Sequence, residues 1–205
     1  MTDTTTTRDA QGRFEKKQPA GDAANKPNLG LLAGAATAGA ALGLLAMIGR
    51  KAAVQAPSVL AGDWVQALAA EHKAVLKLFD AIEATETRNT TKRSILLAQL
   101  KHALAKHDVE EGNVIYPALR DAGRVEEADQ LTKEHGYVKQ HLYALENMPK
   151  DSPEFLARVR KFRADIEEHM TEEETSLFPA LRAQLSEERN KQLAAAMNKE
   201  GFKVA

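Results

Sequence analysis

Two stretches of the chain carry the residue types of a metal site at helical spacing. His107 and Glu111 stand four residues apart, as do His169 and Glu173. On a helix that spacing projects both side chains from one face, so each stretch offers one nitrogen and one carboxylate to a common point. The flanking residues repeat as well. His107-Asp-Val-Glu-Glu111 leads to Ile115-Tyr-Pro117-Ala-Leu-Arg120, and His169-Met-Thr-Glu-Glu173 leads to Leu177-Phe-Pro179-Ala-Leu-Arg182, at a constant offset of 62. A shorter pair precedes each copy: Glu71-His72 with Val75, and Glu134-His135 with Val138. The repeat unit is a helix with one His, then a helix with His-x-x-x-Glu. Two units supply four imidazoles and two carboxylates, a donor set for two metal ions.

The elements that must position these donors are visible as apolar stripes alternating by three and four residues, the period of bundle helices. The first stripe is Leu68, His72, Val75, Phe79, Ile82, with Asp63 as N-cap and Gln66 completing a capping-box-like pattern. The second is Leu97, Leu100, Leu104, His107, Glu111, Val114, beginning after Asn89-Thr90-Thr91. The third is Ala128, Leu131, His135, Val138, Leu142, Leu145, ended by Pro149. The fourth is Phe155, Val159, Phe162, Ile166, His169, Glu173, with Ser152 as cap and Pro153 at the first helical position. Short connections make successive helices antiparallel, so the fold class is all-α, an up-down-up-down four-helix bundle. Pro117 and Pro179 are expected to kink or end their helices. Ser186 is expected to cap an extra C-terminal helix closing near Gly201, within residues 184–205.

All six repeated His and Glu residues fall on the core-facing stripes. A buried carboxylate or imidazole without a partner costs several kcal/mol, against a domain's total stability of about 5–15 kcal/mol. Six such groups need one another or a cation. Depth along the helices agrees to about one turn, since His72 and His107 lie at similar distances from their shared loop, as do His135 and His169.

Bulk properties exclude several alternatives. The chain has 205 residues, a net charge of −1, 5% aromatics and no cysteine. The charge gives no general attraction to nucleic acid, so none is expected as a partner. Without cysteine there is no disulfide, thiolate zinc site or Cys-held cluster, which suits a reducing compartment.

The first 62 residues differ in character from the rest. Residues 1–28 are Thr-rich at the start and show no apolar period, as in a disordered tail. From Leu29 to Ile48 no charge occurs, and a helix of that length spans about 30 Å, enough for a hydrocarbon core. Gly30/Gly34 and Gly39/Gly43 have the GxxxG spacing of closely packed membrane helices. Its seven Leu and Ile residues favour insertion by only about 2 to 4 kcal/mol. The reading is an Ala/Gly-rich helix over 29–50 serving as a membrane anchor or membrane-associated segment, followed by a linker over 51–62. The competing reading is a soluble low-complexity helix. The folded part is then a cytoplasmic domain tethered to the inner membrane or, in the second case, free in the cytoplasm.

His72, His107-x-x-x-Glu111, His135 and His169-x-x-x-Glu173 resemble the hemerythrin-like HHE cation-binding family over about residues 63–183. The resemblance implies a non-haem di-iron centre within the bundle, with His72, His107, His135 and His169 as terminal nitrogen ligands and Glu111 and Glu173 as bridges. Oxygen, nitric oxide or peroxide would be the small ligand. A mixed imidazole and carboxylate set without sulfur suits iron, and also manganese or zinc. Oxygen-carrying hemerythrins place a further His one turn after the third-helix His, where this chain has Lys139. The departure points away from reversible oxygen carriage and towards the repair and nitrosative-stress branch, or the peroxide-reactive branch. A non-enzymatic iron or redox sensor is the alternative.

Other polar residues are read more plainly. His102 and His141 lie off the stripes, with surface or outer roles. Glu110 and Glu172 rotate to the flank and are expected to be solvated or to act from outside the ligand set. Glu71 and Glu134 are similar, with Glu134 near an open position. Tyr116 and Phe178 read as core aromatics, and Tyr137 and Tyr143 as packing residues.

Overall fold

A computed structural model describes residues 61–205, so the tail over 1–28, the apolar helix over 29–50 and the linker up to residue 60 lie outside it. Among the described residues the secondary structure is entirely helical. Of five long helices among the described residues, four form the body: α1 (Trp64–Glu83), α2 (Thr90–Glu110), α4 (Val125–Glu146) and α5 (Phe155–Glu172). Shorter helices α3 (Tyr116–Asp121) and α6 (Phe178–Gln184) extend α2 and α5, and α7 (Glu187–Val204) follows. α1 touches α2 and α5, and α4 touches α2 and α5, which closes the four into a ring. Among the described residues no helix is long and apolar enough to cross a membrane, and the 29–48 segment lies outside those residues.

Local chemistry sets most helix ends. The Asp63 carboxylate accepts from the Gln66 amide at 2.9 Å, and the Gln66 side chain accepts from the Gly62 amide at 3.1 Å, a reciprocal cap at the start of α1. Ser186 caps α7 by accepting from the Arg189 amide. α5 begins at Phe155 rather than at Pro153: Ser152 accepts from the Glu154 amide, but that bond closes a turn before the helix. α7 runs through Gly201 to Val204, past its expected end, and Gly201 is buried within it without the positive φ that ends α3 at Gly123.

Pro117 and Pro179 do not end their helices. Each is preceded by one wide turn with i→i+5 bonding, Glu111–Ile115 and Glu173–Leu177, after which the helix resumes with the proline in its first turn. The Tyr116 and Phe178 amides donate five residues back, to the carbonyls of Glu111 and Glu173. Proline lacks the amide an α-turn would require, and a widened turn absorbs the mismatch. α3 closes at Gly123, whose φ of +85° lets its amide and that of Arg124 reach back to the carbonyls of Arg120 and Leu119.

Among the described residues the interior consists of two apolar clusters. One gathers Trp64, Leu68, Leu119, Leu131, Phe178 and Met197, and the other gathers Val75, Phe79, Leu100, Leu145, Phe155 and Phe162. On each of the four body helices the repeated His or Glu falls between residues of these two clusters. The polar donors therefore form a stratum across the bundle.

Candidate metal centre

Each body helix contributes one imidazole to this stratum: His72 from α1, His107 from α2, His135 from α4 and His169 from α5. Glu111 and Glu173 open the two wide turns and are fully buried. The structure brings all six together as two overlapping groups, His72-His107-Glu111-Glu173 and Glu111-His135-His169-Glu173, with donor atoms in each group within 4.8 Å of one another. Glu111 belongs to both through different oxygens: Oε1 lies 3.1 Å from His107 Nε2, and Oε2 lies 3.2 Å from His135 Nε2. Glu173 Oε2 lies 3.5 Å from His72 Nε2 and 3.4 Å from His169 Nε2.

Carboxylates outside the six orient the rings. His72 Nδ1 meets Glu174 at 2.7 Å, His107 Nδ1 meets Glu71 at 3.3 Å, His135 Nδ1 meets Asp108 at 2.7 Å and His169 Nδ1 meets Glu134 at 2.7 Å. Every imidazole is thus held by an acid from an adjacent helix or its extension, and the holding relation runs once round the bundle. An Nδ1–H donated outward leaves Nε2 with its lone pair facing the interior, the arrangement of a metal-ligating imidazole.

The inward atoms test whether a cation fits. His72 Nε2 and His107 Nε2 are 3.0 Å apart, and His135 Nε2 and His169 Nε2 are 3.3 Å apart. With Nδ1 protonated, such pairs would set lone pair against lone pair. Glu111 Oε1 and Glu173 Oε2 are buried without a well-formed hydrogen bond. A cation in each group would answer both problems, and a sulfur-free N/O set suits iron, manganese or zinc. The residues fit.

Protons can take the cation's place. Burial opposes a charge on His107, yet the Glu111 charge and bonds to Glu111 and Glu71 raise it well above the usual imidazole range. Burial likewise opposes a charge on His135, but Asp108 and Glu111 push it up to about 9. His72 is lowered, chiefly by burial. Burial and the neighbouring Glu111 charge raise Glu173 to about 7, whereas Glu111, despite its burial, is held well below the carboxylate range by His107 and His135.

Several residues depart from their expected roles. Tyr116 is not a simple core aromatic: its hydroxyl lies 3.0 Å from Glu111 Oε2, 2.9 Å from Glu173 Oε1 and 2.8 Å from His135 Nε2. In a regular helix a residue five positions on is rotated about 140° away, and the wide turn returns it to the face of Glu111. Phe178, its counterpart, packs edge-on against Trp64 at 5.4 Å. Glu110 is buried beside Lys106 at 2.8 Å, outside the six donors, and Glu172 is exposed, which are the two alternatives expected of this pair. Tyr137 and Tyr143 lie on the surface, 46% and 67% exposed, rather than packed. His141 stacks on Phe162 and pairs with Asp165 at 2.9 Å, away from the donors. Lys139 meets Asp108 at 3.1 Å, so the residue at the extra-histidine position supports the acid that orients His135. Asp108 and Glu174 escaped the sequence reading because the repeat does not duplicate them; Met170 and Gly112 stand at the corresponding positions. Surface grooves of about 560 and 500 Å³ reach the site's edges at His169 and at His72.

Four imidazoles and two shared carboxylates within a helical bundle make a site that could hold metal ions. The hemerythrin HHE cation-binding domain matches residues 64–181, and the chain belongs to that family. A hemerythrin-like protein of Schizosaccharomyces pombe, described as uncharacterized, is 31% identical over 100 residues, which is 47% of this chain and 49% of that one. A DNA nickase of a Nostoc species is 28% identical over 124 residues, 60% of this chain and 35% of the relative. The chain therefore spans about a third to a half of the length of these curated relatives. No solved structure matches it. Hemerythrin-like domains bind metal ions, usually iron.

Proposed function

We propose that this chain is a non-haem di-iron protein that binds or reacts with dioxygen, nitric oxide or peroxide, in defence against oxidative or nitrosative stress or in the repair of iron centres. The convergence of four Nε2 atoms on two shared carboxylates carries this reading. His72 and His107 would hold one ion, His135 and His169 the other, and Glu111 and Glu173 both. A bound iron pair would supply the redox chemistry. The protein's part is to orient the imidazoles through Glu71, Asp108, Glu134 and Glu174 and to exclude water with the apolar clusters on either side. The grooves beside His169 and His72 give a small ligand two lines of approach.

The up-down-up-down order belongs to the same proposal, supported by the ring of neighbouring helices and their short connections. So does membrane association through residues 29–48, on the sequence argument alone. The Nostoc relative is named for nicking DNA; with net charge −1 here, we assign no nucleic-acid partner.

The test is metal analysis of purified protein with anaerobic titration by each small ligand. About two irons per chain and a ligand-dependent spectral change are expected, and His107→Ala and Glu173→Ala should each lose metal. Full metal retention in both variants sinks the assignment. A second reading, a non-enzymatic iron or redox sensor, is favoured by the draw of the donor set on all four body helices, which couples metal to fold. Under it, chelation lowers the melting temperature strongly while peroxide turnover stays at background.

A further inference from the structure

The Tyr116 side chain is buried, and one phenol oxygen sits 2.8–3.0 Å from three site atoms: Glu111 Oε2, Glu173 Oε1 and His135 Nε2. A single O–H donates one hydrogen bond, so it cannot serve both carboxylate oxygens at once. Those distances do match another situation. Donor atoms sharing one ion through bonds of about 2.0–2.2 Å stand about 3 Å apart when their bonds are at right angles. The hydroxyl occupies a place beside three members of the Glu111-His135-His169-Glu173 group. The repeat offers no counterpart, since Phe178 stands at the corresponding position and carries no donor atom. The wide turn at Glu111–Ile115 is what brings the phenol to this face.

We propose that Tyr116 is a fifth protein donor to the ion held by Glu111, His135, His169 and Glu173, which makes the two metal positions chemically distinct. The inference rests on the dinuclear reading above. When the oxygen–metal bond forms, the phenol O–H bond breaks and its proton leaves to solvent; no electron is transferred. Among the described residues the site held by His72 and His107 has no equivalent phenol oxygen, and it keeps more of its coordination shell for exogenous ligands.

The probe is ferric iron alone, loaded into the full chain. Wild type should take up about two irons and display visible phenolate-to-iron charge transfer, with tyrosinate ring modes in resonance Raman spectra. Tyr116→Phe should lose both signals while holding one or two irons. Tyr116→His, which restores a donor, should hold two without the phenolate band. Two irons in wild type without a phenolate signature overturns the Tyr116 assignment and leaves the dinuclear site standing. Persistence of the band in Tyr116→Phe does the same, since the phenolate would then come from another tyrosine. A wild-type chain that takes up no iron removes both.

Discussion

The imidazoles of this site are useful only if each keeps its inner nitrogen free, and that is decided one atom outward. Asp108 holds His135 Nδ1 at 2.7 Å and is itself met by Lys139, while Glu134 holds His169 Nδ1 at 2.7 Å. Loss of such an orienting acid typically weakens metal affinity 10–100-fold. Asp108→Asn and Glu134→Gln should each show that range in competition with a calibrated chelator, with little change in fold by circular dichroism. Unchanged affinity in both would remove these acids from the site. Little of this outer layer was legible in the sequence. Glu71 and Glu134 could be suspected because they repeat, but Asp108 and Glu174 have no counterpart in the other copy, where Met170 and Gly112 stand. That the six inner His and Glu residues meet was legible because duplication and stripe placement coincide at each of them.

At the scale of elements, the four body helices were readable from their periodicity, because one face of each must be apolar over five turns or more. The wide turns were not. A proline ten residues past the motif His reads as a helix end, and nothing in residue type announces that the preceding turn will loosen and let the helix continue. Tyr116 was misread for the same reason, since its position relative to Glu111 depends on that turn. Two glycines differ in whether their φ lies in the left-handed region. Gly123 has φ +85° where α3 ends, a conformation that L residues rarely adopt. Gly112 carries no such angle, and an added Cβ would meet nothing within 4 Å. Gly123→Ala should therefore destabilise the metal-free protein by about 1 kcal/mol, whereas Gly112→Ala should stabilise it by about 0.5–1 kcal/mol. Denaturant midpoints of the two variants check the opposite signs.

For the whole molecule, proton and metal compete for the same interior. His135 sits at about 9 in the metal-free fold against an ordinary 6.5, so its contribution to stability is complete below pH 6.5 and lost as pH rises through 9. Glu173, raised to about 7 from 4.5, favours its protonated form, so its contribution also fades as pH rises, from about 4.5 through 7. Metal binding requires those protons to leave and strengthens over the same interval. The melting-temperature gap between iron-loaded and chelated protein should therefore widen from pH 6 to pH 9. Free ion at a thousandfold excess over its dissociation constant corresponds to about 4 kcal/mol. A gap that is flat or narrows with rising pH would contradict this competition.

The circular holding of the imidazoles has one more result. No helix in the ring is a free-standing owner of its ligand, because each lends an acid to a neighbour and borrows one in return. Prying any single helix loose strips a nitrogen from one cation position and unsteadies the imidazole of a second helix. On the proposed pairing α1 and α4 each act within one ion position, whereas α2 and α5 each supply a ligand to one position and orient a ligand of the other. Loosening α2 or α5 should therefore weaken both positions together.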